Sequence, residues 1–211
     1  MKTSSQQRQY PVLGNIDYPI AISGKARSGK NTVASIIVER LRYPNDKVKV
    51  AALADPMKRI IQAMMPEASS ECLFGASELR GEVIAGDKYK DRNGNPLTYR
   101  QALIDLGSFG RAFNPELWLN CLVEDANKSV DKWAYIISDV RMRNEFDFLK
   151  EAGFIMVRVR RKSIDTIDDI SETEQDEITD DEFDYILNND KEISDLEDLV
   201  QHMIWHLQAL V

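Results

Sequence analysis

The stretch AISGKARSGKNTVASIIVERL, residues 21 to 41, constrains the fold more tightly than any other. An apolar run, YPIAISG, leads into two glycines and a lysine, and an amphipathic segment follows them. Val33, Ile36, Ile37 and Leu41 recur at helical spacing, which predicts a helix from Lys30 to about Arg42. Strand, glycine-rich turn and helix N-terminus together make an anion site, because backbone N–H groups point inward and the helix dipole favours negative charge. Gly24 and Gly29 permit positive φ and close backbone approach. Lys30 would reach the β- and γ-phosphates of a nucleotide, and Lys25 and Arg27 add charge on the loop. The alternative is a plain strand-to-helix turn that needs glycine, and the flanking strand and helix argue against it. One position departs from the strict G-x-x-x-x-G-K-[ST] pattern: Asn31 stands where a hydroxyl is expected, and Thr32 follows it. In G-K-x-T, Thr32 can still turn its hydroxyl towards phosphate or metal-bound water, whereas the Asn31 amide is a poor Mg²⁺ ligand.

The rest of the chain repeats the alternation. KVKVAALAD, WAYIISDVR, FIMVRVR and FDYILNN read as further strands. PMKRIIQAMM, YRQALIDLGSFGRAF, NPELWLNCLVEDANKSV, RNEFDFLKEAG and ISDLEDLVQHMIWHLQAL read as helices. Asn114 caps the third of these and Pro115 takes its first position. Strands that are apolar on both faces and alternate with helices predict an α/β fold of three layers, with a parallel sheet of about five strands between helices. In such sheets ligands bind at the carboxyl ends of the strands, where the motifs sit. Residues 1–17 read as a polar tail, and residues 18–211 as a single domain with a small lid. Segments 66–97 and 161–182 are the lid or acceptor-cover candidates. Within the first, KDRNGNPLT is turn chemistry, and Arg80, Lys88, Lys90 and Arg92 are lid candidates.

Bulk properties exclude some classes. Formal charge is −8, so long-range attraction to nucleic acid or an anionic membrane is not expected. Cys72 and Cys121 form no C-x-x-C motif and read as free thiols in a reducing cytoplasm. The N-terminus lacks the apolar stretch of a signal peptide, and no window approaches the ~18 apolar residues of a membrane span.

A second constellation lies in ISDVRMR, residues 137 to 143. Asp139 ends a strand beside the cradle, where a carboxylate could hold Mg²⁺ through water or orient an acceptor phosphate. Arg141 and Arg143 suit a transferring phosphoryl group, because guanidinium forms bidentate bonds to it. The bland reading is a strand end with surface charges. LADPMKR offers Lys58 and Arg59 at another strand end, and YRQALIDLGSFGR supplies Arg100 and Arg111.

SGKARSGKNT, LADPMK, YRQALIDLG, WLN, ISDVR and SETE occur in an order that resembles the phage-type deoxynucleoside monophosphate kinases, over about residues 19 to 200. The resemblance implies a P-loop kinase fold, and transfer of the ATP γ-phosphoryl group to a deoxynucleoside 5′-monophosphate for dNTP synthesis. It implies that Gly24, Lys25, Ala26, Arg27, Ser28, Gly29, Lys30, Asn31 and Thr32 bind ATP phosphates, with Arg160 on the donor side. It implies Lys58, Arg100, Gly107, Trp118, Asp139, Arg141 and Glu172 on the acceptor side, with Trp118 near the base. Lys30, Arg27, Asp139, Arg141 and Arg143 would be catalytic, and Thr32 and Asp139 would stand near Mg²⁺. Asn31 and Ala26 depart from the family, which usually has Asp and often has Lys at those positions.

Other readings stay open. Trp118 lies in an apolar helix with Leu117, Leu119 and Leu122 and could equally be core. Trp133 and Trp205 read as structural. His202 and His206 read as a solvated helix face, and the acidic run from Asp165 to Asp184 as a cover in which Glu172 or Glu174 reads the acceptor. A P-loop kinase of another small metabolite would share the donor site. A regulatory ATP-binding module would bind ATP without transfer. The substrates expected are small molecules, in the cytoplasm (the host's, for a phage protein).

Overall fold

A computed structural model describes residues 18–41, 47–128, 134–162, 175 and 177–209. The chain forms two compact units, one from residues up to Ala51 and from Asp125 onward, the other from Ala52–Glu124.

The first unit is built on five parallel strands: β1 (Tyr18–Ser23), β2 (Val48–Ala51), β3 (Ala134–Val140), β4 (Ile155–Arg160) and β5 (Tyr185–Asn188). Their order is β2-β3-β1-β4-β5, so the first strand lies at the centre. β3 and β4 flank it and are joined across it, so the chain divides around the end of β1, where doubly wound sheets bind ligands. The sheet, flanked by helices, is the α/β arrangement expected from the sequence.

Alternation along the strands decides which helix covers which face. Ile20, Ile22, Ala134, Ile136, Val157 and Val159 form one core with α1 (Lys30–Leu41) and the last helix, α7 (Ile193–Gln208). The α1 residues Val33, Ile36, Ile37 and Leu41 supply its apolar stripe, each worth about 1.5–3 kcal/mol of burial. An ion pair from Arg40 to Glu197, 2.7 Å, joins the two helices at the surface. The intervening strand residues Ala21, Tyr135, Ile137 and Met156 are fully buried as well. Phe146, Phe148 and Leu149 are the buried residues of α6 (Arg143–Glu151), which packs on β4.

β1 and β3 do not keep one register. Ala21 pairs with Ile137, but Ser23 pairs with Val140, so β3 carries one extra residue in the stretch that includes Ser138 and Asp139. Such a bulge re-aims side chains where pairing ends.

The second unit holds α2 (Asp55–Met64), α3 (Ser70–Phe74), a 3₁₀ turn over Ser77–Gly81, α4 (Tyr99–Phe113) and most of α5 (Leu117–Asn127). Its core gathers Ile61, Ala68, Leu73, Ile84, Leu97, Tyr99 and Ala102. Segment 66–97, ambiguous in sequence, is held by a few local devices. The Ser69 hydroxyl accepts from the Cys72 N–H to start α3, and the Ser69 N–H donates to the Tyr99 hydroxyl at 2.7 Å. The Asp91 carboxylate accepts from the N–H groups of Asn93 and Asn95, both 2.8 Å, closing the Asn93-Gly94 turn.

Candidate active site

Between β1 and α1 the backbone makes a tight, partly strained loop. Gly24 has φ +153° and Gly29 φ +102°, and Arg27 between them also has positive φ, +60°. A non-glycine residue in that region costs on the order of 1 kcal/mol, and such strain concentrates where backbone N–H groups must turn towards a ligand. The floor under the loop explains both glycines. A Cβ on Gly24 would stand 2.3 Å from the Val159 carbonyl oxygen, and one on Gly29 would stand 2.4 Å from Asn189 Nδ2. The Lys30 side chain folds back, donating from Nζ to the carbonyls of Gly24 at 2.5 Å and Lys25 at 2.7 Å. These carbonyls help to compensate the charge of a residue only 8% exposed.

Beside this loop lies a cleft of about 710 Å³, within the usual range for small-molecule sites. Gly24, Lys25 and Ser28 form one wall and Arg158, Arg160, Arg161 and Lys162 another, with Asp180 the one carboxylate among the described lining residues. An acidic protein thus presents a cationic cleft, which suits a polyanion. Two polar atoms here are buried without partners among the described residues, Ser28 Oγ and Gln175 Nε2, and both residues line the cleft. Buried polar groups are normally paired, so a ligand bearing acceptor oxygens fits this lining. Together with the loop geometry, the residues present fit the phosphates of ATP. For Mg²⁺ the Thr32 hydroxyl, exposed, and the Asp139 carboxylate, half-buried, are hard oxygen donors. No group of three or more His, Cys, Asp or Glu side chains suited to a metal occurs among the described residues. The donor set therefore suits an ion that keeps waters and phosphate oxygens in most of its shell.

Arg160, expected on the donor side, lines the same cleft as Gly24, Lys25 and Ser28. It is ion-paired to Asp180. Arg158 was missed in the sequence, although the alternation in IMVRVR already puts it on the same strand face as Arg160. Its guanidinium donates to Asp180 at 2.6 Å and to the carbonyls of Gln175 and Ile178, both 2.7 Å, and covers the Phe183 ring. Gln175 was missed as well, with no local signal for it in sequence.

The ISDVR strand end brings Asp139 and Arg141 to the carboxyl end of β3, beside the end of β1. The backbone N–H groups of Arg141 and Met142 donate to the Glu145 carboxylate at 2.8 and 3.0 Å, which caps α6 and fixes this turn. Arg143 stands elsewhere than expected. Its guanidinium contacts Asp147 at 2.9 Å and Glu182 at 2.7 Å, so it clamps α6 to the segment before β5 and is already filled by carboxylates. Those hydrogen bonds, with Glu182 foremost, raise the Arg143 pKa, and the Arg143 bond, followed by the Thr179 N–H, holds Glu182 down to about 2. Because the folded value lies below the ordinary 4.5, the stabilisation is present above pH 4.5 and is lost as pH falls from there towards 2. Acid unfolding followed by circular dichroism is expected to show this dependence, and Glu182→Gln to flatten it.

The acceptor-side candidates of the second unit are each engaged locally. Lys58, 5% exposed, pairs with Asp55 at 2.7 Å and lies over the Phe74 ring. Asp55 in turn accepts from the Ala52 N–H at 2.9 Å. Arg100 is exposed and donates to the Ser77 carbonyl at 3.2 Å. Trp118 is 6% exposed, and its indole N–H donates to the Gly107 carbonyl at 3.1 Å. A Cβ on Gly110 would meet the Trp118 ring at 2.3 Å. The glycine spacing in LGSFG therefore makes a seat for this indole. That geometry favours the core reading of Trp118 over the base-stacking one. Trp205, read as structural, is instead exposed at the surface of α7. His202 and His206 are exposed, as expected, with His206 Nδ1 hydrogen-bonded to the Tyr185 hydroxyl. Residues 1–17, Trp133, Glu172 and Glu174 lie outside the described residues.

A model of the phosphomevalonate kinase family matches residues 22–154, well over half of the chain and including the whole cradle. The chain belongs to the phosphomevalonate kinase family. As a member of that family it is a P-loop kinase, a phosphotransferase acting on small molecules. It is also 25% identical over 192 residues to a putative deoxynucleotide monophosphate kinase of Acanthamoeba polyphaga mimivirus, covering 83% of this chain and 90% of the relative. A crystal structure of a sugar kinase from Janibacter sp. HTCC2649 aligns with 89% of this chain and 92% of its own, at 14% identity and a TM-score of 0.38. That likeness is too slight to carry an argument. Among the described residues of this family member, no helix is long and apolar enough to cross a membrane.

Proposed function

We propose that this kinase transfers the γ-phosphoryl group of ATP to the phosphate of a deoxynucleoside 5′-monophosphate, forming ADP and a deoxynucleoside diphosphate. The cradle carries the reading: a strained loop seated on β4 and Asn189, with Lys30 at its mouth and a cationic cleft beside it. The similarity to the mimiviral relative, which spans most of both chains, supports this acceptor. The family match favours phosphomevalonate as a second acceptor to test. Both compounds are phosphate monoesters, so either reading has an acceptor phosphate and a diphosphate product.

In the proposed reaction an oxygen of the acceptor phosphate attacks the γ-phosphorus, and the bond to the β–γ bridging oxygen breaks, leaving ADP. No covalent intermediate forms with the protein, and catalysis is positioning and charge neutralisation. Lys30 exchanges its two carbonyl partners for β- and γ-phosphate oxygens. Gly24 to Thr32 cradle the chain of phosphates, with Arg27, Arg158 and Arg160 adding positive charge. Arg141 holds the acceptor phosphate, and Asp139 orients it. Thr32 and Asp139 would hold Mg²⁺, which would supply charge neutralisation to the phosphates. Arg143 acts as a positioning residue that holds α6, and not as a direct phosphoryl contact.

A coupled ADP-release assay across the four deoxynucleoside monophosphates and phosphomevalonate is the test. Acceptor-dependent release with at least one deoxynucleotide is expected. Release with phosphomevalonate alone would replace the proposed acceptor by the second one.

A further inference from the structure

We infer that Asn189, one residue beyond β5, is a positioning residue for phosphate binding: it holds the glycine-rich loop in its anion-binding shape. The proposal rests on the reading of that loop as a nucleotide-phosphate site. Three contacts carry it. The Asn189 side-chain amide donates to the Ser28 carbonyl at 2.9 Å, across 161 residues of sequence. The same nitrogen lies where a Cβ on Gly29 would fall, 2.4 Å away, so the amide packs directly on the glycine that precedes Lys30. The Asn189 backbone N–H donates to the Arg160 carbonyl at 2.7 Å, which ties the residue to the end of β4.

The physical consequence concerns the peptide between Ser28 and Gly29. Holding the Ser28 carbonyl outward, against Asn189, turns the N–H of Gly29 to the opposite side of that planar unit. Gly29, at φ +102°, then leads straight into α1. A phosphate bound here meets backbone donors whose orientation is set before it arrives, which lowers the ordering cost of binding. Without the side-chain amide the Ser28–Gly29 peptide is free to rotate, and that cost returns to the binding step. Asn189 does not touch the phosphates. Its effect therefore falls on the affinity of the triphosphate and the order of the loop.

The test uses the full chain and two variants, Asn189→Ala and the isosteric Asn189→Asp, which sets a carboxylate oxygen against the Ser28 carbonyl. Calorimetric titration with ATP and with inorganic tripolyphosphate reads affinity, and amide hydrogen exchange reads the order of residues 24–30. Expected are about a tenfold loss of affinity for both ligands in Asn189→Ala and a larger loss in Asn189→Asp. Faster exchange is expected in the loop, with unchanged exchange in β1 and β3. Because tripolyphosphate lacks a base and sugar, an equal loss for both ligands assigns the effect to the phosphates. Affinities within twofold of wild type, or a loss accompanied by uniformly faster exchange across the sheet, overturn the proposal. Should Asn189→Ala not fold, the shape-conserving Asn189→Asp carries the same comparison. A wild-type chain that binds neither ligand overturns the cradle reading itself, an outcome separate from any difference between variants.

Discussion

Lys30→Ala is expected to lower acceptor-dependent phosphoryl transfer by roughly a thousandfold or more while leaving the fold intact. In the folded chain Nζ donates to the carbonyls of Gly24 and Lys25, and both are neutral groups that water can replace once the side chain is shortened. The energetic cost of the variant to folding is thus small, about 1 kcal/mol. The cost to the reaction is large, since a buried cation beside developing phosphoryl charge acts at low dielectric. Steady-state kinetics with matched circular dichroism spectra checks both halves. Near-wild-type turnover would show that the loop does not hold the reacting phosphates.

Trp118→Ala is expected to cost about 3–5 kcal/mol of stability, read as a fall in Tm of roughly 10 °C. The indole is 6% exposed, donates to the Gly107 carbonyl and fills the space left by Gly110. Gly110→Ala should be destabilising for the complementary reason, by about 1–3 kcal/mol, because its Cβ would lie 2.3 Å from the ring. A base-stacking Trp118 predicts something different: a raised KM for the acceptor at nearly unchanged Tm. Thermal unfolding of the two variants separates these outcomes.

These two residues also mark how far sequence reasoning reached. The strand, glycine-rich loop and helix were legible because their determinants are local: two glycines and a lysine at fixed spacing, between an apolar run and a helical stripe. The parallel sheet was legible for a similar reason, in largely apolar strands such as YIIS and IMVRV. Trp118 was ambiguous because an indole in an apolar helix has the same local pattern whether it packs or stacks. Only the opposed Gly107 and Gly110, one helix earlier, decide its environment. Arg143 looked like a phosphoryl ligand because Arg141 and Arg143 lie two apart; its capture depends on Glu182, 39 residues away. Asn189 gave no signal at all, since its role exists only where β5 ends beneath a loop 161 residues upstream. Residues 66–97 resisted reading because their order comes from single caps and turns, such as Ser69 and Asp91, with no sustained periodicity.

In the proposed reaction this chain joins a phosphoryl group from ATP to an acceptor phosphate. Phosphorus-31 NMR of a reaction containing ATP, Mg²⁺, a deoxynucleoside monophosphate and the enzyme observes that bond directly. Expected are loss of the monoester signal and growth of two diphosphate molecules for each ATP consumed, both absent with Lys30→Ala. An intact monoester signal for every deoxynucleotide tried, with ATP either unchanged or merely hydrolysed to inorganic phosphate, would contradict it.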